Sequence, residues 1–248
     1  MGSSIAGSIG SVSRAYNPFE FEIRDPATDH VSDLDSSERA TRILNVTVAA
    51  VALVLAAPIF LFIALLVMVT SRGPVLYCQT RVGLDRRWKR KPSHADVRKH
   101  DIGGKPFTMY KFRTMVVEAE RGGKEVWAAP NDPRVTPIGR MLRVTRLDEL
   151  PQFINVLLGD MNVVGPRPER PAFFASLRAT VPNYQMRQRV MPGITGLAQI
   201  SQTYDTCYDD VCRKVEYDLQ YLNQRSVKKD LTIMVKTLPV MAMCKMGW

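Results

Sequence analysis

An uninterrupted apolar run over residues 46–69 dominates the pattern of polar and apolar positions in this chain. No residue of the run carries a charge. As a helix, its roughly 24 residues would be about 36 Å long, enough to cross a hydrocarbon core of about 30 Å. Core helices of soluble proteins are seldom apolar on every face over this length, so the run predicts a membrane helix.

Pro58 lies near the middle of the run and predicts a kink, because proline removes a backbone donor and clashes with the preceding turn. The helix could therefore span the membrane, or it could bend at Pro58 and leave on the face where it entered. The segment after the run is rich in arginine and lysine, which places that end in the cytoplasm. The segment before it carries charges of both signs, so flanking charge leaves both topologies open.

The remaining pattern divides the chain into an arm and a globular domain on either side of the membrane helix, which is placed at 39–72. Residues 1–38 are rich in serine, glycine and aspartate without a sustained period, which predicts a disordered or loosely attached arm. Residues 73–248 predict an α+β domain that is mainly helical, with short strands. Its elements are a strand at 107–110, helices at 137–143, 151–158, 211–224 and 229–243, and a basic helical region at 170–190.

A polar, basic insert occupies residues 85–105 of this domain. It could be a solvated loop. It could also lie on anionic headgroups, where each nearby basic residue contributes about 1 kcal/mol and Trp88 would serve as an interfacial anchor. The sequence leaves both interpretations open.

The net charge of +10, from 34 lysines and arginines against 24 acidic residues, points to an anionic partner. Nucleic acid, an anionic membrane surface and phosphorylated substrates all fit this charge. The four cysteines form no CxxC pair and the three histidines are scattered, which predicts reduced thiols and argues against a zinc site. The sequence has no Walker A, GxGxxG or HExxH motif, which argues against P-loop nucleotide hydrolysis and zinc hydrolases.

The acid pair Asp148-Glu149 is the main candidate for chemistry, and its simplest interpretation is structural. Thr145 precedes it and Pro151 follows it, which predicts a helix start where one acid would act as a cap. Adjacent residues on a helix diverge by about 100°, so a cap explains only one of the two acids.

The cations around the pair favour phosphate chemistry. Arg143 and Arg146 precede it, and Arg167 follows between two prolines. A carboxylate flanked by cations and a metal stays ionised, can attack phosphorus and can form an acyl phosphate. The second carboxylate could bind metal or position a proton. Mg²⁺ is the natural metal, because carboxylate and phosphate oxygens are hard ligands.

Short motifs follow one another in a fixed order between Arg42 and Leu238. After the apolar helix with its central proline they are Ser71–Pro74, Gln79–Gly83, Tyr110–Met115, Asp132–Arg134, Leu147–Pro151, Gly159–Met161, Gly165–Pro168 and Pro192–Gly196. Each is weak alone, but together they resemble the bacterial monotopic phosphoglycosyl transferases, the polyprenyl-phosphate sugar-1-phosphate transferase family.

The resemblance implies transfer of a sugar-1-phosphate from a UDP-sugar to undecaprenyl phosphate, with release of UMP. It implies that Asp148 is the covalent nucleophile, that Glu149 is the second catalytic carboxylate, and that both carboxylates bind the required Mg²⁺. The substrate or phosphate contacts it implies are Gln79, Arg81, Lys111, Arg113, Arg143, Arg167 and Asp218.

The resemblance also implies a re-entrant helix that bends at Ala57-Pro58, with the catalytic domain on the cytoplasmic face of the bacterial inner membrane. Ala57 stands where the family often has serine, and residues 191–203 depart from the family pattern. The implied partners are the UDP-sugar, undecaprenyl phosphate and the anionic bilayer, without nucleic acid, and a homodimer stays open. A non-catalytic, membrane-anchored basic scaffold and a family member that has lost activity remain the alternatives.

Overall fold

The structure, a computed structural model, describes residues 31–86, 101–117, 119, 132–202 and 207–242. These residues form a mainly helical α+β fold with short strands, which confirms the predicted class. The helices are α1 Val31–Thr70, α2 Pro137–Val144, α3 Gln152–Leu158, α4 Pro171–Thr180, α5 Leu197–Ser201, α6 Tyr208–Gln224 and α7 Val227–Ala242. The strands are β1 Leu76–Val82, β2 Pro106–Phe112, β3 Asn162–Val164 and β4 Gly193–Thr195, and two 3-10 turns occupy Leu147–Glu149 and Tyr184–Arg189.

Helix α1 confirms the long apolar helix predicted near the N-terminus. It runs without interruption through Pro58, and its part from Ser37 is long and apolar enough to cross a membrane. Its middle exposes large apolar side chains, with Val54 74% and Leu61 72% accessible. It begins inside the segment predicted as an arm, whose residues 1–30 lie outside the described part of the chain.

Both ends of α1 are attached to the globular domain. Near its start, Arg42 donates to the carbonyl oxygens of Val156 and Leu157, 2.6 and 2.9 Å away, at the end of α3. Near its end, Ile63 and Val67 are buried in a cluster with residues of β2 and α2. Between residues 50 and 62 no residue is buried.

Strands β1 and β2 form an antiparallel hairpin in which Leu76 pairs with Phe112 and Val82 with Pro106. The strand predicted at 107–110 is confirmed within β2. The basic insert connects the two strands, and backbone bonds of Lys105 with Gly83 and Leu84 close its base. Its residues 87–100 lie outside the described part of the chain.

Strands β3 and β4 form a parallel pair that brings two glycine motifs together. A Cβ atom on Gly193 would lie 2.1 Å from the backbone nitrogen of Gly165, and one on Gly165 would lie 2.3 Å from the Met191 oxygen. Only glycine allows so close an approach of the two backbones. This contact fixes the base of the loop that carries Arg167.

The four predicted helices correspond to α2, α3, α6 and α7, and the basic region at 170–190 divides into α4 and a 3-10 turn. The prediction that Thr145 starts a helix is wrong. Thr145 ends α2, and its hydroxyl donates back to the Met141 oxygen over 2.8 Å. The helix that follows the acid pair begins after Pro151, without a side-chain cap.

Candidate active site

A tight turn between α2 and α3 carries the two acids. Arg146 adopts a left-handed backbone with φ of 59°, so the chain reverses at once after α2 and enters the 3-10 turn that holds Asp148 and Glu149. Both acids are buried, with 7% and 8% of their surface accessible. Burial of two neighbouring carboxylates is costly unless cations or hydrogen bonds compensate the charge.

Glu149 receives that compensation from two cations. Lys111 Nζ of β2 lies 2.8 Å from Glu149 Oε1, and Arg167 Nη2 lies 2.6 Å from the same oxygen. Burial alone would raise the pKa of Glu149, but the charges of Arg167 and Lys111 outweigh it and hold this pKa well below its usual value. Glu149 is therefore an ionised anchor for two cations.

Asp148 has no comparable partner. No described residue forms a hydrogen bond or an ion pair with its carboxylate. Burial raises the pKa of Asp148 and the charge of Glu149 adds to the rise, while Lys111, Arg143 and Arg167 oppose it without cancelling it. The flanking cations therefore act most strongly on Glu149, and the environment moves the pKa values of the two acids in opposite directions.

Arg143 is a further cation whose charge acts on Asp148. Its Nε donates to Thr114 Oγ1 over 2.9 Å, which fixes the guanidinium, and it interacts electrostatically with Asp148 and Asp132. Asp132 is paired with Arg134 at 2.6 Å, and this hydrogen bond lowers the pKa of Asp132 to about 2. Asp148 therefore experiences the charge of Arg143 as well as the charges of the two cations bound to Glu149.

Three other predicted residues support the Arg167 loop rather than contact the acid pair. Arg81 donates to the Pro168 oxygen over 2.9 Å and to Gln79 Oε1 over 2.5 Å. Asp218 accepts from Arg187 Nε over 2.6 Å, and Arg187 Nη2 donates to the Arg167 carbonyl over 3.2 Å. These contacts tie the loop to β1 and, through Arg187, to α6.

Arg113 is not brought to the acid pair. Its Nη2 donates to the Ser71 oxygen over 2.6 Å, just beyond the end of α1. The side chain therefore links the residue that follows β2 to the end of α1, whereas Lys111, two residues earlier on β2, reaches Glu149.

Sequence reasoning missed Glu169, Arg187 and Lys214. Glu169 Oε1 accepts from Lys214 Nζ over 2.9 Å and lies 3.9 Å from Arg187 Nη1. Burial would raise the pKa of Glu169, but Lys214 and Arg187 lower it to about 2. The position of Glu169 directly after Gly165–Pro168 was the only local signal, since the two cations come from distant segments.

A cavity of about 450 Å³ opens beside the acid turn. Glu149, Arg167 and Arg146 line its polar end, and most of its remaining wall is apolar. The site can therefore hold a phosphate group at the cations and an apolar group next to it.

The donor set fits Mg²⁺ in its usual manner of binding. The described residues contain no group of three or more metal-binding side chains. Mg²⁺ commonly uses one or two carboxylates, with waters and substrate phosphates completing its coordination. Because Glu149 is bound by two cations, Asp148 is the carboxylate that remains for such an ion.

Comparison with known proteins adds to this geometry. The family model described as bacterial sugar transferase matches residues 36–244. A UDP-glucose:undecaprenyl-phosphate glucose-1-phosphate transferase of Klebsiella pneumoniae is 40% identical over 199 residues, covering 79% of this chain and 39% of that protein. The UDP-N-acetylgalactosamine-undecaprenyl-phosphate N-acetylgalactosaminephosphotransferase of Aeromonas hydrophila is 37% identical over 195 residues, covering 79% and 42%.

A relative of similar length extends the match. The exopolysaccharide production protein ExoY of Rhizobium meliloti is 36% identical over 220 residues, covering 83% of this chain and 87% of that protein. The chain spans about two fifths of the length of the Klebsiella and Aeromonas proteins.

Proposed function

We propose that this chain, which belongs to the bacterial sugar transferase family, transfers a sugar-1-phosphate from a UDP-sugar to undecaprenyl phosphate and releases UMP. Membership of the family confirms the resemblance seen in the motifs. The observation that carries the proposal is the buried acid pair, in which Lys111 and Arg167 bind Glu149 and leave Asp148 unpaired among the described residues. The names of the relatives above support the two substrates.

The proposed reaction proceeds by two displacements at one phosphorus atom. A carboxylate oxygen of Asp148 attacks the β-phosphorus of the UDP-sugar, and the bond to the bridging oxygen breaks so that UMP leaves. A phosphate oxygen of the lipid then attacks the phosphorus of the aspartyl phosphate. The Asp148–phosphorus bond breaks, which restores the carboxylate and yields a diphosphate-linked sugar.

The cations of the site assist both displacements, because phosphoryl transfer gains most of its rate from positioning and charge stabilisation. Arg167 and Lys111 are held at the site by Glu149, and Arg143 is fixed by Thr114. Asp148 would hold the Mg²⁺, which would neutralise charge on the diphosphate. The resemblance assigns Glu149 to the metal as well, but its two ion pairs leave Asp148 as the available carboxylate. Since the low pKa of Glu149 keeps it ionised, its proposed role is to position cations rather than to donate a proton.

The attachments of α1 support the re-entrant topology. The two ends of a helix that spans a bilayer lie on opposite faces, about 30 Å apart. In this chain Arg42 and Val67, near opposite ends of α1, both contact the same globular domain. We therefore propose that α1 enters and leaves on the cytoplasmic face of the inner membrane, with its bend at Ala57-Pro58. The site would then lie at headgroup depth, where lipid phosphate and soluble nucleotide meet.

UMP release from a panel of UDP-sugars tests the proposed function. The wild-type chain should release UMP with at least one sugar, and Asp148→Asn should abolish release. Asp209→Asn, which changes an exposed aspartate of α6, is the matched control and should keep full activity. An active Asp148→Asn variant would overturn the mechanism. A wild-type chain that binds anionic vesicles but releases no UMP would favour the scaffold alternative.

A further inference from the structure

The charged residues that line the cavity beside the acid turn include two ion pairs, Arg167–Glu149 and Lys214–Glu169, which define its polar end, and the rest of the lining is mostly apolar. Its apolar wall is built from several elements of the domain and from the membrane helix. The residues that form this wall include Val48, Phe153, Ile194, Ala198, Met234 and Leu238. Its volume of about 450 Å³ lies within the range of about 300–1,000 Å³ that small-molecule sites occupy.

The polar end carries positive charge. Arg146, Arg167 and Lys214 line it together with Glu149 and Glu169. Arg167 reaches both the cavity and the Glu149 carboxylate. A ligand with an anionic head at Arg167 and an apolar tail along the wall would match this arrangement.

The apolar end is continuous with an exposed apolar stripe on α7. Leu231, Val235 and Leu238 are 45, 65 and 66% accessible and recur at helical spacing on one face. Leu238 also lines the cavity, so the cavity reaches the surface beside this stripe. Helix α7 packs against α1, which places the opening beside the membrane helix.

We propose that this cavity binds the first isoprene units of the polyprenyl phosphate acceptor, with the lipid phosphate at Arg167. The inference rests on the proposed function and adds the place where the acceptor chain lies. It explains why an apolar cavity adjoins a charged site, since the chain must leave the phosphate towards the bilayer. Bound isoprene would also exclude water from Glu149 and its cations, which strengthens their electrostatic effect.

The competing occupant is the sugar or uridine of the donor. Gln199 lines the cavity, and its Oε1 is a buried acceptor without a hydrogen-bond partner among the described residues. A hydroxyl group could donate to it, whereas isoprene could not. The experiment must therefore separate effects on the lipid acceptor from effects on the UDP-sugar.

A matched pair of leucine variants on α7 provides this separation. Leu238→Gln changes a residue that lines the cavity, and Leu231→Gln makes the same change on the same helix away from it. We expect Leu238→Gln to raise the KM for undecaprenyl phosphate about tenfold, equivalent to about 1.4 kcal/mol of binding, and the KM for the UDP-sugar much less. Leu231→Gln should change neither. Ala198→Leu, which fills the cavity from α5, should act like Leu238→Gln.

Photolabelling of the wild-type full chain tests the site without turnover. A diazirine-bearing farnesyl phosphate should label peptides of α5 and α7. Undecaprenyl phosphate should block the labelling, whereas phosphatidylglycerol and UDP-sugar should not. Labelling elsewhere, or competition by phosphatidylglycerol or UDP-sugar, would overturn the inference.

The two assays also separate this inference from the proposed function. UMP release with an unchanged lipid KM in both cavity variants would leave the function standing and refute the cavity assignment. Specific labelling of the cavity by a chain that releases no UMP would support the cavity assignment and refute the proposed function.

Discussion

Arg167 donates to Glu149 Oε1 over 2.6 Å, and Lys111 reaches the same oxygen over 2.8 Å. One carboxylate thus holds two cations that come from segments far apart in the sequence. The neighbouring Asp148 keeps a carboxylate without such a partner among the described residues. These contacts give the two acids different roles. Glu149 anchors the two cations, and Asp148 is the proposed nucleophile.

Replacing Glu149 by glutamine should slow the reaction and change its pH dependence. Without the carboxylate, Lys111 and Arg167 lose their anchor, and we expect activity to fall about 100-fold, as for loss of a preorganised charge-stabilising group. The charge of Glu149 raises the pKa of Asp148, so removing it should lower that pKa. The acidic limb of the pH–rate profile should therefore move to lower pH.

The exposed Glu216→Gln on α6 is the control for this change and should leave the rate and the profile as they are. An acidic limb that stays in place in Glu149→Gln would show that the two carboxyl groups are not coupled.

The charge network behind the Arg167 loop should support stability as well as activity. Arg187 is fully buried and pairs with Asp218 at 2.6 Å. Breaking a buried pair leaves an uncompensated charge, so Arg187→Ala should lower the free energy of unfolding by about 3–5 kcal/mol. Asp218→Asn should also lower the free energy of unfolding. The double variant should lower it by less than the sum of the losses in the two single variants. Additive effects in chemical denaturation would contradict the pairing.

Glu169 should make the free energy of unfolding depend on pH in the acidic range. Its pKa falls from 4.5 to about 2 in the folded chain, because Lys214 and Arg187 outweigh the effect of burial. A carboxyl group whose pKa is lower in the folded than in the unfolded chain stabilises the fold at pH values above its unfolded pKa. This contribution disappears as the pH falls towards 2. At neutral pH the lowered pKa of Glu169 contributes about 3 kcal/mol to the free energy of unfolding.

We therefore expect the stability difference between the wild type and Glu169→Gln to shrink as pH falls from 5 to 2. Thermal unfolding in detergent at several pH values measures it, and Gln220→Ala, which changes an exposed, uncharged residue of α6, is the control. A difference that does not vary with pH would contradict the low pKa of Glu169.

The re-entrant topology can be tested by cysteine labelling at the two ends of α1. Ser37→Cys and Arg72→Cys both introduce exposed cysteines, in a background where the native cysteines are serine. Because both ends of α1 contact one domain, a membrane-impermeant maleimide should reach both only in inside-out vesicles. Labelling of the two positions from opposite faces would show that α1 spans the membrane.

The sequence predicts some parts of this structure well and others not at all, for physical reasons. The apolar run of α1 and the acid pair are predictable because each is a continuous local signal. Strand β1 could not be predicted because buried and exposed residues do not alternate regularly along it. Strands β3 and β4 could not be predicted because they have only three residues each.

The partners of the acids also could not be predicted from their spacing. Arg143 and Arg146 are the nearest arginines in the sequence, yet Glu149 is bound by Lys111 and Arg167. A prediction of this kind needs the tertiary contact of the two glycines that positions the Arg167 loop. The same holds for Glu169, whose two cations lie far along the chain.

The central claim is that Asp148 becomes covalently phosphorylated, and mass spectrometry of the purified chain tests it most directly. After incubation with a UDP-sugar and Mg²⁺ but no lipid acceptor, the peptide that contains Asp148 should gain the mass of one sugar phosphate. The gain should be absent in Asp148→Asn and should disappear when undecaprenyl phosphate is added. A wild-type chain that releases UMP in each turnover while this peptide stays unmodified, or an adduct that maps to another residue, would contradict the account.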